Sequence, residues 1–300
     1  MENDNLSQTI NSKQPDRDLA LLQVNMPGKA KDIMKFGVNT VRVGQSVYDA
    51  IKIMAEKSIS GLPVVDDSGL AGIISEKDVL TSLYNTEFLQ GGVEDYMTKE
   101  VVGFDVEDAL SDICDCLTNN HFRRVPIFNQ DRLTGIISRA DIIRASVHRF
   151  KTQHPPGDSD KHKDNPLARD IMTCGLITVK GQSPIYEAME LAVTHNISSL
   201  PVVDDYMNLV GIISEMDMLK LLYNPQNGPG NIEDFMTKEV VSFNHDDSLF
   251  DICDCFIDNN FRSVPILNQG RLVGIISRAD IMVYILKNKS DILRHSKVCH

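Results

Sequence analysis

A fourfold internal repeat constrains this chain more than any other feature of its sequence. The tetrapeptide Gly-Ile-Ile-Ser begins at Gly72, Gly135, Gly211 and Gly274, with spacings of 63, 76 and 63 residues. The copies therefore form two pairs, and the pairs match again at long range, since the letters DICDC at 112–116 return at 251–255. A recurring period of this kind fixes the architecture before any single motif does. We number the four units repeat 1 to repeat 4 in chain order.

The first repeat shows the pattern of elements that each unit shares. Residues 39–43, 62–65 and 70–74 are short apolar or β-branched runs that predict strands, and turn-forming residues occupy 66–69. Apolar residues at helical spacing between the first two strands predict one helix, and Ser75 begins another. The expected fold class is α/β (α+β), with four β-α-β-β-α units. Because so small a sheet leaves an apolar face, we expect the units to pack in pairs.

The boundaries between these units follow from composition. A polar segment at the N-terminus, a Pro-rich and charged segment in the middle and a Pro/Gly-rich loop interrupt the periodic pattern. The expected organisation is a disordered tail at 1–29, a first module at 30–150 with units at 30–86 and 92–150, a linker at 151–166, a second module at 167–288 with units at 167–225 and 231–288, and a tail at 289–300.

The charge balance restricts the possible partners. The 300 residues carry a net charge of −12, with 30 Lys and Arg against 42 Asp and Glu. A broad nucleic-acid or anionic-membrane surface is therefore not expected, because both require a basic face. We find no secretory signal and no apolar run of about 18 residues, which argues against a membrane span. Six cysteines are too few for a disulfide scaffold, so a cytoplasmic setting is expected.

Each repeat carries a Ser-x-x-Asp motif where a strand ends and a helix begins. One interpretation is a helix capping box, in which Ser is the N-cap and the Asp at the third helical position accepts a hydrogen bond from the Ser amide. A second uses the same geometry, since free N–H groups at a helix start suit a phosphate and a carboxylate can hold two ribose hydroxyls. The two roles can coexist. The four pairs are Ser75 with Asp78, Ser138 with Asp141, Ser214 with Asp217, and Ser277 with Asp280.

A few repeated arginines could bind an anion although the net charge of the chain is negative. Arg123 and Arg124 stand before the Val-Pro of repeat 2, Arg262 occupies the position of Arg123 in repeat 4, and Arg139 recurs as Arg278 inside the Ser-x-x-Asp motif. Arginine is suited to bidentate phosphate contact. A single surface Arg would more simply be a solvated charge, and the duplication makes a binding role a comparable alternative.

At this point the sequence resembles the CBS domain family. The resemblance rests on Gly-Ile-Ile-Ser-x-x-Asp after a Leu-Pro or Val-Pro strand, with Asp-Ile-Met or Tyr/Phe-Met-Thr ahead of it, and all four repeats carry the motif. Four copies resemble two Bateman modules, as in stand-alone tandem-CBS proteins and the gamma regulatory subunit of AMP-activated protein kinase. The resemblance implies a regulatory sensor, not an enzyme, which binds AMP, ADP or ATP between paired repeats and needs no other cofactor.

The resemblance also implies composite clefts, in which the Ser and Asp of one repeat face the segment before the proline of its partner. Thr98, Thr173 and Thr237 match a further contact position, where repeat 1 has Lys35 instead. We expected the cleft of Asp78 to hold the most cationic charge. The implied facing segments are Phe122, Arg123 and Arg124 for Asp78; Ile59, Ser60 and Gly61 for Asp141; Phe261, Arg262 and Ser263 for Asp217; and Ile197, Ser198 and Ser199 for Asp280.

Several alternatives remain open at the level of sequence. Cys114 with Cys116 and Cys253 with Cys255 suggest a metal or redox site, but residues two apart on a helix diverge, so packing is favoured. No catalytic constellation or metal spacing was found. The ligand could instead be S-adenosylmethionine or NAD, or the clefts could be empty parts of an interaction module. An unidentified protein partner is expected, and the modules could form a disc within one chain or across a homodimer.

Overall fold

The computed structural model describes four segments of the chain. They are residues 26–86, 88–153, 166–223 and 230–286. Most of the expected N-terminal tail, most of the expected linker, part of the loop before repeat 4 and the expected C-terminal tail lie outside the described residues. The helix that ends repeat 2 continues to Gln153, so it includes three residues that the sequence analysis assigned to the linker.

Each repeat contains one three-stranded sheet in which the first strand runs parallel to the second and the second antiparallel to the third. This is the predicted order of elements, and the α/β class with four repeats is confirmed. The third strand of each sheet leads directly into the helix that carries the motif Asp. The strands are β1 Val41–Arg42, β2 Gly61–Asp66, β3 Gly69–Ser75, β4 Phe104–Asp105, β5 Arg124–Asn129, β6 Arg132–Ser138, β7 Val179–Lys180, β8 Ser199–Val203, β9 Leu209–Ser214, β10 Phe243–Asn244, β11 Ser263–Asn268 and β12 Arg271–Ser277.

Each repeat also contains a short leading helix or turn and two longer helices. The first long helix connects the parallel strands and the second follows the third strand. A 3-10 turn at Val93–Asp95 leads repeat 2, and another follows α8 at Lys220–Tyr223. The α-helices are α1 Ala30–Ile33, α2 Val47–Lys57, α3 Glu76–Thr86, α4 Leu110–Asn119, α5 Arg139–Gln153, α6 Ala168–Ile171, α7 Ile185–His195, α8 Glu215–Leu219, α9 Ile232–Phe235, α10 Leu249–Asp258 and α11 Arg278–Leu286.

Helix α2 shows how local sequence sets these elements. It begins after Ser46, whose hydroxyl accepts a hydrogen bond from the Tyr48 amide at 3.2 Å, as an N-cap does. Its apolar residues at helical spacing are buried, and it ends at Ser58 in the left-handed conformation with φ 52°. The chain then leads directly into β2, so the residues before the proline of β2 lie at the start of the central strand of the sheet.

Paired repeats exchange their leading segments. Thr98, at the start of repeat 2, bridges to Ile73 in repeat 1, and Lys35, at the start of repeat 1, bridges to Ile136 in repeat 2. The exchange explains the glycine of Gly-Ile-Ile-Ser, because a Cβ on Gly72 would lie 2.6 Å from the Met97 sulfur and 2.7 Å from the Thr98 carbonyl oxygen. The second module repeats this arrangement with Thr173 and Thr237.

The apolar cores extend across the two modules. One core joins repeat 1 to repeat 3 through α3 against α7 and α8, and the other joins repeat 2 to repeat 4 through α5 against α10 and α11. Met26 is buried in the second core, so the described residues before α1 belong to the folded part. The repeats of one module meet along β3 and β6 and through the exchanged segments. The four repeats therefore form a closed ring, in which each repeat packs against two neighbours.

No helix within the four described segments is both long enough and apolar enough to cross a membrane.

Candidate functional site

The four Ser-x-x-Asp motifs adopt one geometry. In repeat 1 the amide and the hydroxyl of Ser75 both donate to one Asp78 carboxylate oxygen, at 2.8 and 2.6 Å, and the Asp78 amide donates back to the Ser75 hydroxyl at 3.3 Å. The other three motifs place the Ser hydroxyl 2.6 Å from the matching Asp oxygen. In every repeat, therefore, the helix cap uses one carboxylate oxygen of the Asp, Oδ2.

The other carboxylate oxygen, Oδ1, contacts a different residue in each of repeats 2, 3 and 4. Lys35 forms an ion pair with Asp141 at 2.9 Å, Lys220 donates to Asp217 at 2.5 Å, and the Thr173 hydroxyl donates to Asp280 at 3.4 Å. Lys35 stands where the other repeats have Thr, so this departure from the repeat pattern places a cation beside Asp141. Oδ1 therefore contacts polar groups outside the helix cap, while Oδ2 belongs to the cap.

The clefts of Asp141 and Asp280 open into a single cavity of about 460 Å³, which we call the joint cavity. Both modules contribute to its wall, since Asp141 belongs to repeat 2 and Asp280 to repeat 4. Two acids line it, and burial raises the pKa of the Asp280 carboxyl although Ser277 opposes the shift. The lining cations are Lys35, Arg123, Arg124, Arg139, Arg262 and Arg278.

Three of these arginines are partly buried and form no ion pair with an acid among the described residues. Arg124 donates to the Gly61 carbonyl oxygen at 2.6 Å and to the Ser60 hydroxyl at 2.5 Å. Arg139 and Arg278 donate to the carbonyl oxygens of Leu117 and Phe256, and their Nε atoms are buried without a hydrogen-bond partner. Burial lowers the pKa of each of the three guanidinium groups to about 10. Charge buried without a counter-charge is costly, so this wall is suited to an anion.

The two remaining arginines of the wall are neutralised by glutamates. Arg123 donates to both carboxylate oxygens of Glu215, at 2.5 and 2.7 Å, and Arg262 donates to Glu215 at 3.1 Å and to Glu76 at 2.5 Å. Both glutamates are almost fully buried. Burial raises the pKa of the Glu76 carboxyl, although Arg262 opposes the shift. We call these four residues the central ion-pair network.

A second cavity of about 270 Å³ lies at the Asp217 cleft. Residues of repeats 1, 3 and 4 line it, and it shares Ser198, Ser199, Arg262 and Ser263 with the joint cavity. Ser214, Thr237 and Phe261 line it as the resemblance implied, and Ile212, Met216 and two valines add apolar surface. Its charged lining residues are Glu76, Asp217, Glu239 and Arg262. Acids therefore outnumber cations here, which is the reverse of the joint cavity.

The structure distributes the site residues predicted from sequence between these two cavities. Arg123 and Arg124, assigned to the Asp78 cleft, line the joint cavity. Ser75, Asp78, Thr98, Phe122 and Gly61 line neither of the two cavities described here, although Gly61 accepts the Arg124 hydrogen bond. The predicted residues in the joint cavity are Ile59, Ser60, Arg123, Arg124, Ser138, Arg139, Asp141, Thr173, Ile197, Ser198, Ser199, Arg262, Ser263, Ser277, Arg278 and Asp280.

The sequence analysis overlooked Glu76, Glu215 and Glu239. Glu76 and Glu215 occupy the second position of Ser-x-x-Asp, where repeats 2 and 4 have Arg139 and Arg278. Glu and Arg therefore alternate at this motif position, but the glutamates pair with Arg123 and Arg262, which stand before the prolines, so the alternation did not indicate the pairing.

The Cys-x-Cys motifs lie on α4 and α10. Cys114 and Cys253 are fully buried in the core that joins repeats 2 and 4, and Cys116 and Cys255 are partly buried. Burial raises the pKa of the Cys114 thiol to about 12, so it stays protonated at neutral pH. The placement favours the packing interpretation.

Comparison with known proteins gives consistent matches. A family model described as "CBS domain" matches residues 30–85, 93–148, 168–224 and 232–287. Protein MJ1225 of Methanocaldococcus jannaschii is 30% identical over 201 residues, which cover 67% of this chain and 71% of the relative. Its crystal structure, whose description relates it to g-AMPK, superposes with a TM-score of 0.74 at 22% identity and covers 86% of this chain and 99% of that one.

Two solved CBS proteins with ligands match single modules. The CBS domain pair of protein MJ0100, in complex with 5-methylthioadenosine and S-adenosyl-L-methionine, is 34% identical with a TM-score of 0.36, covering 39% of this chain and 93% of that one. CBSX2 in complex with AMP is 29% identical with a TM-score of 0.36, covering 38% of this chain and 92% of that one.

Proposed function

This chain belongs to the CBS domain family, and from that premise we propose that it is a regulatory protein that binds adenine nucleotides in the joint cavity. CBS-pair proteins are regulatory, ligand-binding modules. In this proposal Asp141 and Asp280 hold ribose hydroxyls, and the arginines of the wall hold the phosphates of AMP, ADP or ATP. Occupancy would be transmitted to a protein partner through the packing of the two modules.

One observation carries the proposal: Arg124, Arg139 and Arg278 are partly buried around one cavity and form no ion pair with an acid in the described residues. A guanidinium that has already lost water gains more from a phosphate than an exposed one does, because the low local dielectric strengthens the attraction. The motif acids of the same cavity offer the oxygens that ribose hydroxyls require. Polyphosphate and ribose can therefore be bound together.

The geometry also explains how the helix caps and a ligand can share each acid. In repeat 4 Asp280 Oδ2 receives the Ser277 bonds, and Oδ1 faces Thr173. A ribose hydroxyl needs only Oδ1. Emptying the cavity would therefore leave the cap intact, and binding adds a second role to the same carboxylate.

Isothermal titration calorimetry of the full chain with AMP, ADP and ATP tests this proposal. The double variant Arg139→Met/Arg278→Met removes two buried cations, and we expect the Kd for ATP to rise by roughly tenfold to a hundredfold, as for the loss of charged hydrogen bonds. The matched control is Arg132→Met/Arg271→Met, because these arginines are also duplicated but are exposed at the starts of β6 and β12. Equal affinity in all three proteins, or no nucleotide binding to the wild type at millimolar concentration, would refute the proposal.

A further inference from the structure

Cys174 differs from the other described cysteines because it is disulfide-bonded. The cysteines of the two Cys-x-Cys motifs, on α4 and α10, are all free thiols. The sequence contains one further cysteine, Cys299, in the segment 287–300 that follows α11. Within a single chain, Cys299 is therefore the cysteine that is left to pair with Cys174.

Cys174 is partly buried and lies within residues 173–177, which we call the rim segment. Thr173 and residues 175–177 line the joint cavity on either side of it. The Thr173 hydroxyl also donates to Asp280 Oδ1 at 3.4 Å, so the rim segment contacts one of the two motif acids of this cavity. A covalent bond at Cys174 therefore restrains this part of the cavity wall.

The cysteine of the rim segment is specific to repeat 3. The equivalent residue is Phe36 in repeat 1, Lys99 in repeat 2 and Lys238 in repeat 4. A cysteine that the packing of the leading segments required would recur, as the Cys-x-Cys motifs do in repeats 2 and 4. Where other thiols of a protein are kept reduced, an isolated disulfide is usually redox-sensing rather than structural.

The segment after α11 is long enough to reach Cys174. Helix α11 begins at Arg278 in the cavity wall and ends at Leu286, about 12 Å further along its axis. The 13 residues after Leu286, up to Cys299, can span roughly 45 Å. The segment 287–300 also carries four Lys or Arg and one Asp, so it is attracted to a chain whose net charge is −12.

We propose that Cys174 and Cys299 form a reversible disulfide that docks the segment 287–300 on the rim segment and makes ligand binding in the joint cavity depend on the redox state. Formation of the bond replaces two S–H bonds with one S–S bond, and two electrons pass to a small disulfide such as oxidised glutathione, which is reduced to two thiols. The bond holds the wall around Thr173 in place before a ligand arrives, which favours binding. This effect on nucleotides rests on the proposed function.

Peptide mapping tests the bond itself. The full chain is equilibrated with oxidised glutathione, its free thiols are blocked with N-ethylmaleimide, and the unreduced digest is analysed by mass spectrometry. We expect a peptide pair that joins Cys174 to Cys299 and disappears after treatment with dithiothreitol. Blocked thiols at both positions, or a bond from Cys174 to another cysteine or to a second chain, would overturn the proposal.

Thermal unfolding tests whether the bond fastens the segment to the fold. The disulfide closes a loop of about 125 residues and so restricts the unfolded chain. We therefore expect the oxidised wild type to have a Tm about 5 °C or more above that of the reduced wild type. Cys299→Ser should abolish the difference, whereas the control Cys116→Ser, which removes a free thiol on α4, should keep it. Equal Tm values for the oxidised and the reduced wild type contradict the docking.

Calorimetry with ATP tests the effect on the joint cavity. We expect the Kd for ATP to be about fivefold lower in the oxidised wild type than in the reduced wild type, and independent of redox state in Cys299→Ser. An equal Kd in both states of the wild type overturns the redox dependence and leaves the nucleotide function intact. If ATP binds in neither state, the proposed function fails together with the effect on nucleotides, while the mapping and the Tm still decide whether the segment is docked.

Discussion

The guanidinium of Arg123 donates two hydrogen bonds to the carboxylate of Glu215, at 2.5 and 2.7 Å, across the centre of the ring. Arg123 belongs to repeat 2 and Glu215 to repeat 3, which share no apolar core. Arg262 and Glu76 make the corresponding diagonal link between repeats 4 and 1. The central ion-pair network therefore connects the repeats that core packing leaves unconnected.

Removing the Glu215 carboxylate should destabilise the fold. Glu215 is 3% exposed and Arg123 is 25% exposed, so Glu215→Gln leaves a largely buried cation without its best partner. We expect the free energy of unfolding to fall by about 2–3 kcal/mol, measured by urea denaturation. Glu107→Gln is the control, since it breaks an exposed pair with Lys29 and should leave the urea midpoint unchanged. Equal midpoints for the two variants would contradict a structural role for the network.

Nucleotide affinity should fall at high pH. Burial lowers the pKa of Arg124, Arg139 and Arg278 to about 10 in the free protein, and a bound phosphate favours their charged form. Between pH 8 and 9 these groups are protonated, so they add no pH dependence to binding. As the pH rises through about 10, a growing fraction of these groups is neutral in the free protein, so binding takes up protons and the Kd of ATP rises.

Calorimetry from pH 8 to 10.5 measures this dependence, with circular dichroism to verify that the protein stays folded. Arg139→Met/Arg278→Met should show a weaker dependence, because two of the titrating groups are gone. A constant Kd up to pH 10.5 in the wild type would mean that these guanidinium groups do not contact the ligand.

The repeated glycines should tolerate alanine unequally. A Cβ on Gly72 would lie 2.7 Å from the backbone carbonyl oxygen of Thr98, whereas a Cβ on Gly274 meets only atoms of the Met172 side chain within the same range. Gly72→Ala should therefore cost about 2 kcal/mol of unfolding free energy and Gly274→Ala less, because a side chain can move and a backbone cannot. Urea denaturation of both variants decides this, and a larger effect at Gly274 would contradict it.

The cysteines of α4 and α10 should be protected in the folded protein. Burial raises the pKa of Cys114 to about 12, and that of Cys253 is raised further in the same direction. Alkylation by iodoacetamide at pH 8, followed by mass spectrometry, should label these two cysteines only after denaturation. Labelling at the same rate in the native and the denatured protein would remove the packing interpretation and restore a reactive role.

Much of the local structure could be predicted because it depends on short stretches of chain. The strand and helix order followed from periodicity and turn residues, and the Ser-x-x-Asp spacing predicted the helix caps seen in all four repeats. The repeats also indicated which motif acids are equivalent. Each of these features depends on a few neighbouring residues, so the sequence of a single repeat is enough to predict its order of elements and its helix cap.

The position of the cations could not be predicted in the same way. Arg124 was assigned to the Asp78 cleft from its place before a proline, yet its guanidinium contacts Ser60 and Gly61 and lines the joint cavity. A long side chain can reach clefts on either side of its strand, and the packing around it determines which one. Likewise, the sequence showed Lys35 only as a residue that replaces the threonine of the other repeats. The exchanged segment places it beside Asp141.

The sequence by itself determined the four repeats, their elements and the Ser-x-x-Asp helix caps, because each of these depends on contacts within one unit. Only the tertiary structure decided which charges are neutralised and which are left for a ligand. Glu76 and Glu215 lie 139 residues apart and meet the same Arg262. Charge pairing depends on distance in space, and the ring brings together residues that the chain keeps far apart.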